Sequence, residues 1–495
     1  AVCSMALTYS SSDTSLFSTE NISYTCDTSG FYFSLTPTLN QVGTSTISIT
    51  LTDEGGLTVT RSFDVNIVDP PSLSTISDQN TAVNTISFTI VDGQGGEITI
   101  TALSSDETVL SYTGINLCES NSHVMTSTFI AGVSQDLTLT LDAMTDAHDK
   151  ITITIIAANA SGLTSSTSFS VIVSPPGSGN ALAFDGANDH IALGTINGTD
   201  PLALSGSNFT FSLWIKPALS GDVDQKIIDK SSYLWGQDGY CLQVEPDGTL
   251  KLQVDGTLSI QYRAKTNSGV LQANQWQHIA MTGDGSNYKA YINGISVTLD
   301  TNDYVAPPSV DSDFRIGKYT GLNRAYNGSI DELHIWNRCL SQTEIRQMMC
   351  QRLVGNENGL LLYYRFDHNS GTVIKDLSGN GYHGTLTDMD TNVWVTSGAA
   401  IGDISVFDYD GSSVSDFSIQ LSTSEGDTFT ATGDGGTYNG IQLYRVNELP
   451  TGIYSSGIYT NDNRYWGVFP VGTTPTFGIE YHYNGNSNIV NSVSL

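Results

Sequence analysis

Apolar residues recur at every second position through most of this chain. Phe209, Phe211, Leu213 and Ile215 form one such set, Ile279 and Met281 a second, and Tyr288, Ala290 and Ile292 a third. Runs such as TSTISITL and KITITIIA repeat the pattern with Thr, Ser and Ile. A period of two is what a strand buried on one face requires, so these segments predict β-strands. Between them, GDGSN and INGI place Gly and Asn where tight hairpins need positive φ. One stretch, SQTEIRQMM, reads as a helix, with Ser341 at the N-cap and Glu344 three residues on to close a capping box. The expected fold class is all-β, built from antiparallel two-sheet sandwiches.

An internal repeat subdivides the first third of the chain. DEGGLTVTRSFDVNIVDPP, ending at Pro71, aligns with ANASGLTSSTSFSVIVSPP, ending at Pro176. Upstream, SSSDTSLFSTENISYTC, ending at Cys26, aligns with SSDETVLSYTGINLC, ending at Cys118. The second copy is preceded by PSLSTISDQNTAVNTISFTIVDGQGGE, from Pro71 to Glu97, which supplies opening strands that the first copy lacks. A sandwich without its first strand leaves an open edge. Two explanations are available: the chain is a piece of a longer protein, or another subunit donates the strand. At the far end, NIVNSVSL reads as a further strand, and an open edge with a spare strand would suit head-to-tail assembly into a filament.

Composition narrows the function. At 495 residues the chain should hold three or four domains. Charged residues make up only 14%, and 50 acidic against 19 basic residues give a net charge of −31. Nucleic acid is excluded as a partner by that balance, because a phosphate backbone requires a basic face. No run of eighteen apolar residues is present, so no membrane-spanning helix is expected. Six cysteines lie at 3, 26, 118, 241, 339 and 350 with no CxxC spacing. Cys3 with Cys26 is the preferred disulfide, since both fall in the small first domain. Cys339 and Cys350 would lie roughly 16 Å apart on a straight helix, beyond disulfide reach unless the helix starts after Cys339 and the chain turns back, and the pairing of Cys118, Cys241, Cys339 and Cys350 stays open.

A series of motifs in the middle of the chain carries a family resemblance: FDGANDHIAL from Phe184, FTFSLWIKP from Phe209, NQWQHIAMTGDGSNYKAYINGISV from Asn274, FRIGKY from Phe314 and NGSIDELHIWNRCLSQTEI from Asn327. Together they resemble the laminin-G-like, concanavalin-like jelly roll. The two N-terminal repeats are similar to the cadherin-like or immunoglobulin-like tandem repeats of large bacterial surface proteins and adhesins. Domain boundaries are therefore expected at 1–70 (an incomplete repeat), 71–176 (the second repeat), 177–398 (the jelly roll) and 399–495 (a C-terminal β-sandwich). Proteins of this kind are extracellular or on the cell surface.

The resemblance also implies a structural calcium site. The FDG turn and the acidic residue of the IDE strand commonly lie side by side in the family, which nominates Asp185 and Asp331 as ligands with Asn188 and Asp189 as neighbours. Calcium accepts six to eight oxygens without strict geometry, which suits such a place; the competing reading makes these residues turn formers that cap backbone amides. Asp376 and Asn380, in DLSGNGYHG, are turn formers by the same reasoning.

A glycan site would need aromatic rings for sugar faces, with amides and carboxylates for hydroxyls. Tyr233, Trp235, Gln237, Asp238 and Tyr240, in SSYLWGQDGY, form the candidate ligand-binding cluster; a hairpin with packed aromatics would explain the same residues. Trp214, Trp276 and Trp336 lie in alternating strands and are assigned to the core. No catalytic residue is nominated, since the chain has no ExDxxE run, HExxH, GxSxG or P-loop, and His278 and His334 read as structural. The leading expectation is a non-enzymatic cell-surface adhesin or structural fibre that self-associates or binds other surface proteins. The alternatives are a carbohydrate-binding lectin and the non-catalytic part of a secreted polysaccharide-degrading enzyme.

Overall fold

A computed structural model of the chain describes all residues except 1, 40, 80–84, 143–148, 174–178, 207, 232–238, 255–261, 320–323, 369, 423–425, 447–464 and 483–495. The fold is all-β, as the alternating pattern requires, and the chain divides into two compact units. The first comprises Ala1–Ser77, Val83–Asp142 and Thr152–Phe169; the second comprises Asp78–Ala82, Ala143–Ile151 and Ser170–Leu495.

In the first unit both sequence repeats form antiparallel sheets. The first copy contributes β1 (Ala6–Ser11), β2 (Ile22–Cys26), β3 (Phe31–Leu35), β4 (Gly43–Thr52) and β5 (Thr58–Ile67), arranged as β1-β4-β5 and β2-β3. Its core is Leu16, Phe17, Ile22 and Ile47. Cys3 and Cys26 are joined by a disulfide with Cα atoms 5.9 Å apart. The second copy contributes β6 (Ser72–Leu73), β7 (Ile86–Val91), β8 (Gly96–Ser104), β9 (Ile115–Leu117), β10 (Val124–Phe129), β11 (Gln135–Leu141), β12 (Asp149–Asn159) and β13 (Thr164–Val173). These run β10-β8-β12-β13 and β6-β7-β11-β9.

Register shows how closely the copies correspond. Ser11 faces Ile47 and Ser104 faces Ile153. In the following turn Asp13 Oδ1 accepts the Ser15 amide at 2.9 Å, and Asp106 Oδ1 accepts the Thr108 amide at 2.8 Å. Next, Tyr24 faces Phe33 where Leu117 faces Leu139. The copies differ at one edge. β7 lies along β11, with Ile86 opposite Leu139 and Phe88 opposite Leu137, whereas β3 has no such neighbour among the described residues. Leu137, Leu139 and Leu141 are accordingly buried, while Phe31, Phe33 and Leu35 are half-exposed.

The second unit is dominated by a two-sheet sandwich. Its strands are β14 (Asn180–Asp185), β15 (His190–Ile196), β16 (Asn208–Pro217), β17 (Gln225–Lys230), β18 (Tyr240–Val244), β19 (Leu250–Val254), β20 (Ala264–Thr266), β21 (Gln277–Asp284), β22 (Tyr288–Ile292), β23 (Ile295–Val297), β24 (Leu299–Asn302), β25 (Ser312–Ile316), β26 (Asn327–Trp336), β27 (Leu360–Tyr364), β28 (Val373–Ile374), β29 (Gly384–Thr387) and β30 (Trp394–Thr396). One sheet runs β23-β22-β21-β16-β26-β14-β30, with β27 also on β26; the other runs β24-β20-β19-β18-β17-β25-β15-β29-β28. Their facing sides share a core in which Phe209, Phe211, Leu213 and Ile215 meet Ile279, Met281, Leu242 and Leu252. The INGI hairpin turns through Asn293 (φ 50°) and Gly294 (φ 74°), the conformation its sequence calls for.

The chain itself covers the outer side of the first sheet. The expected helix, α1 (Gln342–Met348), forms with Ser341 as N-cap and both hydrogen bonds of the capping box. Trp336 packs with Leu340 and Ile345. Trp214 packs with Met349, Cys350 and Ala400, donates its indole N–H to Met349 O at 2.6 Å, and meets Phe469 edge-on at 5.1 Å. The last segment forms β31 (Ile404–Asp408), β32 (Ser418–Ser422), β33 (Thr428–Val446) and β34 (Tyr465–His482), a sheet ordered β31-β33-β32 with β34 paired to β33.

Candidate binding face

The outer side of the second sheet carries a different chemistry. Along β18 and β19, Tyr240, Leu242, Val244, Leu250, Leu252 and Val254 face the core, so the intervening Cys241, Gln243, Lys251 and Gln253 face outward. Cross-strand pairing sets these in rows. Lys226 faces Gln243, Gln243 faces Lys251, and Lys251 faces Lys265, giving one row across β17, β18, β19 and β20. A second row runs Arg315, Asp229, Cys241 and Gln253.

Each buried cation in the first row has a defined environment. Lys226, only 4% exposed, donates to Asp224 Oδ2 at 2.8 Å and to Gln243 Oε1, and its Nζ lies 5.6 Å from the centre of the Tyr319 ring. Asp224 also pairs with Arg324. Lys251, 8% exposed, pairs with Glu245 and lies 4.7 Å from the Tyr262 ring, and Lys265 approaches the same ring at 5.6 Å. Lys265 makes no ion pair among the described residues. In the second row Ser231 donates to Asp229 at 2.7 Å, and burial pushes the Cys241 thiol up to about 12, which makes it an unreactive spectator at neutral pH. Asp229, Cys241, Gln243, Gln253, Lys226 and Lys251 are all buried, whereas Tyr262, Lys265 and Arg315 are partly exposed.

This array was not singled out in the sequence. The signal was present in GYCLQVEP and TLKLQV, where the polar half of each alternation is Gln, Lys and Cys in place of the usual Ser and Thr. Of the residues that were nominated for ligand binding, Tyr233, Trp235, Gln237 and Asp238 lie outside the described residues. Tyr240 is not a binding residue: it is buried in the core, donates its hydroxyl to Leu202 O at 2.7 Å and packs on Phe211 at 5.4 Å. Pairing of Tyr240 with Lys230 and Val254 starts β18 at this residue and turns the ring inward.

The nominated calcium ligands do not form one set. Asp185 pairs with Asn327 and Leu182 with Ile330, so Asp331 lies four positions along the strand from the partner of Asp185, roughly 13 Å away at 3.3 Å per residue. Asp185 Oδ1 accepts the amides of Ala187 at 2.7 Å and Asn188 at 3.4 Å, and Asp189 Oδ2 accepts the amide of Asp185 at 2.9 Å. Asp331 is buried, accepts the Glu332 amide at 2.8 Å and the Ser397 hydroxyl, and is held well above the usual carboxylate range by burial and then by Glu332 and Asp367. Separated in this way, Asp185 and Asp331 do not fit one calcium ion bridging the first and last strands. Among the described residues no three His, Cys, Asp or Glu side chains converge to hold a metal. Asp376 serves the backbone, accepting the amides of Tyr363 and Ser378 at 3.0 Å each, while Asn380 donates to Leu361 O at 2.9 Å.

His278 and His334 lie on the covered side of the first sheet. His278 Nε2 is 2.9 Å from Ser212 Oγ, and burial, reinforced by His334, pushes its pKa down to about 3. Neutral through the physiological range and closed from solvent, it has no route to a substrate proton.

The sandwich is a concanavalin-like jelly roll, and residues 184–346 match the laminin-G-like family model described as the Concanavalin A-like lectin/glucanases superfamily. That match falls on the motifs from which the jelly roll was expected. Among solved structures, the chain is similar to a protein from Bacteroides ovatus ATCC 8483 described as a candidate carbohydrate-binding protein, with 16% identity and a TM-score of 0.34 over 68% of this chain and 99% of that one. It is also similar to a heptameric SAP-like pentraxin from Limulus polyphemus, with 17% identity and a TM-score of 0.26 over 34% and 81%. A CBM40 module of a Ruminococcus gnavus sialidase, bound to α2,3-sialyllactose, has 13% identity and a TM-score of 0.28 over 34% and 94%. No curated protein matches the chain.

Proposed function

We propose that this is a non-catalytic, extracellular carbohydrate-binding protein whose jelly roll receives a glycan on the outer face of β17 to β20. The observation that supports this reading is the partly exposed pair Tyr262 and Lys265 beside Lys251 on that sheet. Saccharides are held by directional bonds to hydroxyls together with apolar ring faces, and a rigid sheet face that offers both pre-organises them. An extracellular setting is consistent with the Cys3–Cys26 disulfide, and no helix among the described residues is long and apolar enough to cross a membrane. The test is a glycan array probed with the full 495-residue chain. Tyr262→Ala, at a partly exposed ring, is expected to lower the signal at least tenfold while leaving the unfolding midpoint in place. Unchanged binding by that variant contradicts the site.

A second reading, self-association as part of an adhesive fibre, is favoured by one observation. Among the described residues β3 lacks the neighbour that β7 provides to β11, and Tyr32 within it is 53% exposed. An open strand edge accepts an incoming strand. Light scattering is expected to show oligomers that dissociate in Tyr32→Lys; a monomer at every concentration contradicts this reading.

A further inference from the structure

One carboxylate of the first unit is buried where the strand pattern calls for an apolar residue. Ile86, Phe88 and Ile90 alternate inward along β7, and Asp92 takes the next inward position. It is completely buried, and neither oxygen has a hydrogen-bond partner among the described residues. The unit has little to neutralise it with. It contains fourteen Asp and Glu residues but a single Lys or Arg, Arg61, whose guanidinium donates to Thr60 O at 3.4 Å. A buried charge without a partner costs stability, so a cation that reaches it from outside the unit is held there.

Asp92 lines a cavity of about 370 Å³ to which both repeats contribute. The cavity walls change character with depth. Thr44 and Asn66 of the first copy and Ala160 of the second are exposed, Val42 and Val68 are half-buried, and Asp92 is fully buried. The polar pair at the mouth is satisfied internally, since the Thr44 hydroxyl donates to Asn66 Oδ1 at 3.1 Å. A bare metal ion requires oxygens on several sides, and no three His, Cys, Asp or Glu side chains converge among the described residues. An aliphatic stem that carries one positive charge matches a polar mouth, an apolar wall and an anionic floor. We propose that this cavity receives a primary ammonium group on such a stem, the chemistry of a lysine side chain presented by a partner protein. The ammonium group donates to Asp92, and the methylenes lie along Val42 and Val68. The site belongs to the repeats and is independent of the glycan-binding face.

The experiment follows thermal unfolding of the full 495-residue chain with Nα-acetyl-lysinamide as the probe, against its Nε-acetylated form, sodium chloride and calcium chloride at matched ionic strength. The charged probe is expected to raise the melting temperature of the wild type, because a ligand that binds only the folded state stabilises it, and the uncharged form is expected to leave it in place. The rise should vanish in Asp92→Ala, which removes only an unpaired carboxylate, and in Ala160→Trp, which narrows the mouth and keeps that carboxylate. Glu54→Ala, at an exposed turn of the same unit, should retain the full rise. No rise in the wild type, or an equal rise in Asp92→Ala, overturns the inference. Stabilisation by calcium that is lost in Asp92→Ala, with none from the lysine probe, also overturns it and makes the cavity a metal site.

Discussion

Three buried side chains decide how this protein responds to pH and to substitution. His278 is held at about 3 by burial and by His334, against an unfolded value near 6.5. Below the unfolded value, unfolding takes up a proton that the folded state refuses, so stability falls as pH drops from about 6.5 toward 3, by roughly 2 kcal/mol at pH 5 from this group. Asp331 works in the other direction, since its raised pKa makes folding take up a proton and stability falls as pH rises above the unfolded carboxylate value. Comparing His278→Gln with the wild type isolates the first effect: the variant should lose less of its melting temperature between pH 7 and pH 5. Asp331→Ala strands the Glu332 amide and Ser397 hydroxyl and should cost about 1–3 kcal/mol. Asp92 is a third case: it is fully buried, and neither carboxylate oxygen has a hydrogen-bond partner among the described residues. Asp92→Ala, which removes both oxygens, should leave stability unchanged or raise it, measurable by chemical denaturation.

At the level of strands and the helix, local chemistry was readable wherever one residue type answers one requirement. The alternation at Phe209 to Ile215 reads directly as β16, Asn293 and Gly294 read as a hairpin turn, and Ser341 with Glu344 read as a capped helix. Ser341→Ala should cost about 1 kcal/mol, read in the denaturation midpoint. Register between strands is set by distant partners and was not readable. This explains why Tyr240 passes for a loop aromatic in the sequence although its pairing with Lys230 and Val254 turns it inward. It also explains Asp331: the FDG and IDE motifs are visible, but their offset of four residues appears only once Asp185 is seen opposite Asn327. The Lys226 to Lys265 row is built from four separate strands, and no local window contains it.

For the whole molecule, a net charge of −31 repels anions at long range, an effect screened beyond about 10 Å at 0.1 M salt. The alternating strands build a rigid sandwich, the chain closes one of its outer sides with Trp214 and Trp336, and the other side is left with cations from adjacent strands. The most direct measurement is the affinity of the full chain for a glycan from the array, for wild type and Tyr262→Ala. The account predicts at least a tenfold loss in the variant with the unfolding midpoint unchanged. Equal affinity in the two would show that β17 to β20 do not form the binding face.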